Sequence, residues 1–501
     1  MMYNRILVIT SRSGGPTAVL FGLCALMVCA LMVCALTLGC QSQTNESSAV
    51  GRGEDGTAAS GTQPTEVAST ELDRKPAVGT LGISSDSTKA ARTDLQETST
   101  AGEQPEIAVD QLRESALQAL GDGQDDVAFQ LVRKAMRLDP ENPQVVFLFA
   151  MVLGDRHRYA EAIQILQKLA DRDPATRLPA LGQTTEWMVE AGRYGEAEQQ
   201  YRSILKEVPD ALMVHHRLGQ LLLQSGRRTE AAKHFEYLSQ FGELDQEELR
   251  SLLIRSQAFP GDDQFTRFTP LTNLAVCRQE LASGKIDQVL DRLSEGGNEN
   301  SNAELALLAR LRAVRSDMDG VQGWVQQERM SDVSADAWYA KGWIAMEQQD
   351  YPQAVGCFCR VLLIDQTDAD AYRMLSQALK KNGDPSRAQV AAARAELVEQ
   401  TRVIGADLVG EENRDRELIS KLIALLNKLN RPLEAFGWQS VDLVYAVEAA
   451  AISETQAQST FEMIGRQRAQ LVNSGQHTLD PAFVLCGLAS DALDPTRVLS
   501  Q

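Results

Sequence analysis

Apolar positions along this chain fall into three regimes. Ala18–Gly39 is a run of 22 residues without a charge, long enough to span a bilayer. Residues 41–106 hold no aromatic side chain and are built from Ser, Thr, Gly, Ala, Gln and acids. From Ile107 to the C-terminus apolar residues recur at helical spacing, broken by Pro, Gly and Asp-Pro steps. The pattern predicts an all-α body behind a signal or anchor and a disordered linker.

Within the helical part the pattern repeats. Pro140, Pro174 and Pro209 are spaced by 34 and 35 residues, and Ala128, Ala162, Ala197 and Ala231 by 34, 35 and 34. Gly192 and Gly226 lie 34 apart, and Tyr159 and Tyr194 lie 35 apart. One antiparallel helix pair per period accounts for this. Ala or Gly stands where two helices approach closely, Leu166, Tyr201 or Phe235 fills the adjacent hole, and Pro stops the second helix.

These markers resemble the tetratricopeptide repeat. The segment HHRLGQLLLQSGRRTEAAKHFEYL carries the pattern through Leu218, Gly219, Ala231 and Phe235. DAWYAKGWIAMEQQDYPQAVGCFCRVLL carries it through Trp338, Gly342, Tyr351, Ala354 and Phe358, and Tyr372, Leu375, Gly383 and Ala388 follow in phase. Leu274–Leu293 and Ala303–Gln327 read as degenerate repeats, Phe259–Pro270 as a break or hinge, and the stretch ending in Trp438 as one more repeat. The expected organisation is a signal or anchor over 1–39, a linker over 40–106 and a first repeat block over 107–250. A hinge with degenerate repeats covers 251–334, a second block 335–400, and a divergent helical region 401–501. The fold expected is an α-solenoid of helix pairs in two blocks.

The resemblance implies a groove lined by the first helix of each repeat. Carried over position by position, it puts Phe147, Met151, Gln183, Glu186, His216, Arg217 and Gln220 on the wall of the first block. In the second block it puts Tyr339, Trp343, Met346, Arg373, Gln377 and Lys380 there. Members that clamp chaperone C-termini place Lys and Asn where this chain has Phe147 with Met151 and Tyr339 with Trp343, so the carboxylate clamp is absent. Tyr339, Trp343 and Met346 form an i, i+4, i+7 stripe. It either anchors an apolar peptide or packs against the degenerate repeat before it.

At the N-terminus Arg5 and Arg12 are the only charges before Glu46. The apolar run ends in Leu-Thr-Leu-Gly-Cys, which resembles the lipobox of bacterial lipoproteins, with Cys40 as the lipidated residue. Family members carry Leu three places before the cysteine, where Thr37 stands here with Leu36 one place further out. An uncleaved signal anchor and an ordinary cleaved signal peptide are the alternatives, and each exports the body. Gln41 after the cysteine implies sorting to the outer membrane, facing the periplasm. Residues 41–106, with 11 acids and 5 bases, then form a tether reaching several nanometres.

Charge and chemistry narrow the function further. With 68 Asp+Glu against 49 Lys+Arg the formal charge is −19, which opposes a nucleic-acid partner. Five His and eight Cys offer little for metal binding. His215 and His216 are adjacent on a helix and point about 100° apart, so they do not share a metal. Cys357 and Cys359 face opposite ways and do not bond each other. Asp317, Asp319 and Gly320, like Asp122, Gly123 and Asp125, lack the closing Glu of a calcium loop and read as turns. No nucleophile elbow, phosphate loop, zinc motif or cofactor fingerprint occurs, so no catalytic residue, metal or cofactor is expected.

Two functions fit. One is an exported, membrane-tethered scaffold holding a protein or peptide partner in the groove, in an envelope assembly. The other is a non-catalytic accessory subunit of an extracytoplasmic enzyme or propeller-containing carbohydrate-handling system. The tail DPAFVLCGLASDALDP, which resembles tails that follow repeats in bacterial chains joined to propeller modules, points weakly to the second.

Overall fold

The computed structural model describes residues 105–262, 268–326, 334–408, 414–477 and 480–488. The apolar run, the linker and Cys40 lie outside them. The described residues contain 21 α-helices, a short 3-10 turn and no strand. The chain divides into two compact units at Leu169–Ala170.

In the first unit, helices α1 (Pro105–Gly121), α2 (Asp125–Leu138) and α3 (Pro143–Asp155) pack around Val109, Ala116, Ala128, Val132, Val145 and Leu148. The start of α3 follows from local chemistry. Asn142 Oδ1 accepts from the backbone N–H of Gln144 and Val145, and Pro143 gives up no hydrogen bond at the first helical position. Helix α4 (Tyr159–Arg172) follows and runs across the division.

The second unit continues with α5 (Arg177–Glu190), α6 (Tyr194–Glu207), α7 (Leu212–Gln224), α8 (Arg228–Ser239) and the short α9 (Gln246–Leu253). Four further pairs follow. They are α10 (Asn273–Ala282) with α11 (Ile286–Gly296), α12 (Asn302–Val314) with α13 (Met318–Gln326), α14 (Ala335–Glu347) with α15 (Tyr351–Ile364), and α16 (Ala369–Lys381) with α17 (Pro385–Asp407). Helices α18 (Arg416–Lys428) and α19 (Pro432–Glu448) pair next, then α20 (Glu454–Asn473) and α21 (Pro481–Val484) complete the described chain.

A shared turn joins the two helices of each pair. Among the described residues, nine such turns place a left-handed residue two positions before the second helix: Gly123, His157, Gly192, Gly226, Gly284, Ser316, Gln349, Gly383 and Asn430. That conformation lets the chain reverse while its N–H caps the preceding helix. Glycine supplies it at no steric cost; at Gln349, with φ 65°, the packed helices on either side hold it.

Inside a pair the small residue is required by contact. A Cβ at Gly219 would lie 2.7 Å from Phe235 Cε1, and one at Gly342 would lie 2.9 Å from Phe358 Cε1. Both phenylalanines are fully buried, as are Ala231 and Ala354. Two distant repeats therefore solve helix approach in the same way.

The second unit also folds back on itself. Helix α9 packs on α17 and α19, and Arg431 Nη2 donates to the carbonyl of Leu252 at 2.7 Å. Residues 254–262 then run as irregular chain through the interior. Arg255 N donates to Thr367 Oγ1 at 2.9 Å, and Gln279 Nε2 donates to the Phe259 carbonyl at 3.3 Å. Phe259 is buried against Gly405 and Leu253. The hinge expected to begin at Phe259 thus opens on a fully buried side chain, followed by exposed Pro260.

Candidate protein-binding faces

The residues expected on the groove wall divide into three groups. In the first unit Phe147 and Met151 on α3 are half-buried, and Met151 packs against the small core beside it. The same unit holds an aromatic cluster that periodicity does not reveal. Phe129 stacks on Phe149 with ring centroids 6.0 Å apart, and the Arg156 guanidinium lies 4.9 Å above Phe129.

On α5 and α7 the expected wall residues meet one another. Tyr201 Oη donates to Glu186 Oε1 at 2.8 Å, and Arg217 pairs with the same carboxylate at 3.2 Å. His216 Nδ1 and Gln220 Nε2 both reach Glu248 Oε1, at 3.0 and 3.1 Å. Gln183 is half-buried and Arg217 is exposed. Burial pulls the His216 imidazole down, but the Glu248 carboxylate, with Asp245 and Glu243, outweighs it and the net shift is upward. Its neighbour His215 turns elsewhere: Nδ1 lies 2.9 Å from His234 Nδ1, and Nε2 donates to the Pro209 carbonyl at 2.9 Å. The adjacent imidazoles therefore serve separate partners.

The second block requires a correction. Tyr339 and Trp343 are only 5% and 7% exposed and belong to the core formed with Leu305, Ala309, Trp324 and Phe358. Met346 packs against that core too. Tyr339 is edge-on to Phe358 at 5.7 Å, with the Arg310 guanidinium 4.2 Å over its ring. The stripe packs against α12 and α13, the degenerate repeat before it, and does not present an apolar anchor to a peptide. By contrast Arg373, Gln377 and Lys380 on α16 are exposed and lie at i, i+4, i+7. Arg373 pairs with Asp370 at 2.5 Å and with Glu399 on α17 at 3.4 Å.

Beneath these faces lies a chain of buried charges, absent from the expected set. Arg310 makes a forked pair with Asp368 at 2.6 and 3.0 Å and reaches Asp336 at 3.3 Å; Arg278 also pairs with Asp336. Arg250 pairs with Asp262 and Arg431 with Glu434 at 2.5 Å, while buried Arg255 reaches outward to the half-exposed Glu236 at 2.5 Å. Burial drives the Asp336 carboxyl up, yet the two guanidiniums reverse this and hold it below its ordinary range. Such pairs are costly to bury and strict about geometry, so they specify which surfaces meet. In sequence Arg310 and Asp336 look like ordinary polar positions on helices.

The described cysteines, Cys277, Cys357, Cys359 and Cys486, are buried free thiols. Burial pushes Cys357 and Cys277 up to about 11 and Cys359 to about 12, so they are poor nucleophiles. Asp317 Oδ1 accepts from the Gly320 N–H at 3.0 Å, closing a turn. Among the described residues no group of three or more His, Cys, Asp or Glu could hold a metal, and no helix is long and apolar enough to cross a membrane.

Residues 119–181, 189–242 and 335–368 match three models of the tetratricopeptide repeat. No curated protein matches the chain. Among solved structures, a tetratricopeptide repeat protein from Parabacteroides merdae is 14% identical, over 55% of this chain and 99% of that one, with a TM-score of 0.27. The APC/C hetero-tetramer Cut9–Hcn1 is 14% identical over 78% of this chain and 87% of that one, with a TM-score of 0.26. The matched stretches fall within both of the blocks that the periodicity marks out.

Proposed function

We propose that this chain is an exported, non-catalytic scaffold, held to the membrane through its N-terminus, whose repeats bind a protein partner in an envelope assembly. The observation that carries the binding half is the presence of stretches matching the tetratricopeptide repeat together with solvent-facing polar residues, Arg217 on α7 inside one such stretch and Arg373, Gln377 and Lys380 on α16 directly after another. Repeat arrays of this kind present extended surfaces rather than reaction centres. The partner contacts are polar, because the aromatic stripe of α14 is committed to the core.

Support for the tether comes from the sequence: the uncharged Ala18–Gly39 run, Cys40 at its end, and the polar stretch to residue 106. Lipidation of Cys40 would supply the acyl chains that stable anchoring needs. The strongly acidic body is repelled by anionic lipid, so membrane attachment rests on the N-terminus alone. Metabolic labelling with a fatty acid tests the tether: incorporation into the wild type and its loss in Cys40→Ala are expected. Crosslinked pull-down from detergent-solubilised membranes tests the scaffold. A specific partner retained by the wild type and lost in Arg373→Glu/Lys380→Glu is expected, and equal capture by both would remove α16 as the binding face.

A further inference from the structure

A cavity of about 210 Å³ opens beside the start of α16, where residues 254–257 pass over the last repeat of the second block. Its charged lining consists of Asp370 and Arg373 from α16 and Glu399 and Arg402 from α17, with Ser256 and Thr367 contributing hydroxyls. Asp368 also lines it but is committed to the forked pair with Arg310. Asp370 and Arg373 are exposed and mark the mouth.

Size and charge constrain the occupant. A buried cavity of about 150 Å³ accepts a benzene ring, so this one has room for a molecule of a few more heavy atoms. The remaining charges are two carboxylates and two guanidiniums joined in an open chain. Arg373 bridges Asp370 and Glu399, and Arg402 Nε binds Glu399 at 3.1 Å. The hydrogen bond from Arg402 pulls the Glu399 carboxyl down, and its acid neighbours hold Arg373 up against burial. A lone cation would have to take acids from Arg373, and a lone anion would have to take guanidiniums from Glu399. Either exchange leaves a protein charge unpaired in a partly closed site. A ligand carrying both signs a few ångströms apart replaces each broken pair with a new one.

We propose that this cavity binds a small zwitterion of the α-amino-acid type. Its carboxylate meets Arg402 and Arg373, its ammonium meets Asp370 and Glu399, and a short side chain lies against Ile254 and Ala369. Two guanidiniums give the carboxylate charge-assisted hydrogen bonds, and the Ser256 hydroxyl lines the same wall, whereas that of Thr367 is committed to Arg255 N and Asp365. The site does not depend on the partner-binding reading and can hold if that reading fails.

The test uses the full chain with L-alanine and L-glutamine as probes, followed by calorimetric titration and by saturation transfer to the probe. The expected result is saturable binding of at least one of them, lost by tenfold or more in Glu399→Ala/Arg402→Ala. That variant deletes both members of a half-exposed ion pair on one helix. A control variant, Arg158→Ala/Glu161→Ala, removes an equivalent exposed pair elsewhere and should bind as the wild type does. Acetate and methylammonium, with one sign each, should not bind. Saturation transfer to the wild type alone keeps the test decisive if the double variant misfolds. Its absence for both probes overturns the proposal, as does equal binding by the two variants or binding of acetate as tight as that of alanine.

Discussion

The α7–α8 repeat and the α14–α15 repeat are built alike and used differently. Each sets a glycine on its first helix against a fully buried phenylalanine 16 residues later, Gly219 with Phe235 and Gly342 with Phe358. Each reverses through a left-handed residue, Gly226 or Gln349. Yet the expected wall of α7 is polar and partly open, through His216, Arg217 and Gln220, while that of α14 is closed core, through Tyr339 and Trp343. The repeat pattern governs how two helices approach each other. What covers their outer faces depends on the neighbouring repeats and on irregular chain.

The sharpest way to break the comparison is to empty the closed face. Trp343→Ala should destabilise the second unit by about 3–5 kcal/mol, the usual cost of removing a buried large aromatic side chain. Arg310→Ala should cost about as much, because it leaves Asp368 buried without its partner. The matching change on the open face, Arg217→Ala, should cost under about 1 kcal/mol, since its pair with Glu186 is half-exposed. Chemical denaturation gives all three values. If Trp343→Ala and Arg217→Ala cost the same, the two faces do not differ as described.

A second experiment asks whether the shared packing is shared energetically. Gly219→Ala and Gly342→Ala each push a methyl group within 3 Å of a phenylalanine ring. Each should cost about 1–3 kcal/mol through overpacking, with similar values in both blocks. Hydrogen exchange should show lost protection centred on α7–α8 in one case and on α14–α15 in the other. Spread of either effect through the whole second unit would show that the contacts of α9 with α17 and α19 couple the repeats, contrary to nearest-neighbour behaviour.

Some of these features were legible from residue order. Ala231, Phe235, Gly342 and Phe358 were, because intra-repeat packing recurs with a fixed period and demands particular sizes. Residues 254–262 were not. They have no period, and Pro260-Gly261 invites a surface reading, while their partners lie far off in sequence: Arg255 N bonds Thr367, more than 100 residues away, and Phe259 packs at Gly405. The turn residues were half legible: Gly192 and Gly226 announce a left-handed turn, whereas His157, Ser316, Gln349 and Asn430 adopt it without a glycine. The alternation of charge between Arg310, Asp336 and Asp368 was hidden for another reason. A helix charge reads as solvent-facing until its partner is known to come from a different repeat. On the candidate faces, Arg373, Gln377 and Lys380 share one exposed side of α16, and spacing on one helix indicates that without tertiary information. The stripe on α14 needed it.

The smallest expected effect concerns pH and separates the imidazoles of the open repeat. His216 is raised above its ordinary value of 6.5 in the folded chain by Glu248 and neighbouring acids, against burial. The stability it contributes is therefore complete below 6.5 and is lost as pH rises through the raised value. His215 and His234 have the opposite sign. Burial depresses both, His234 to about 4, so their contribution is complete above 6.5 and is lost as pH falls towards the depressed values. The α7–α9 region should then be most stable near 6.5 and soften slightly on each side, apart from carboxylate effects at lower pH. Replacing His216 with Gln should flatten only the alkaline limb, since the amide can still donate to Glu248 but does not titrate. Replacing His234 with Gln should flatten only the acidic limb. Thermal melts of the wild type and both variants between pH 5 and 8 read this directly. A single variant that flattened both limbs would show that His215, His216 and His234 titrate as one coupled group rather than through separate partners.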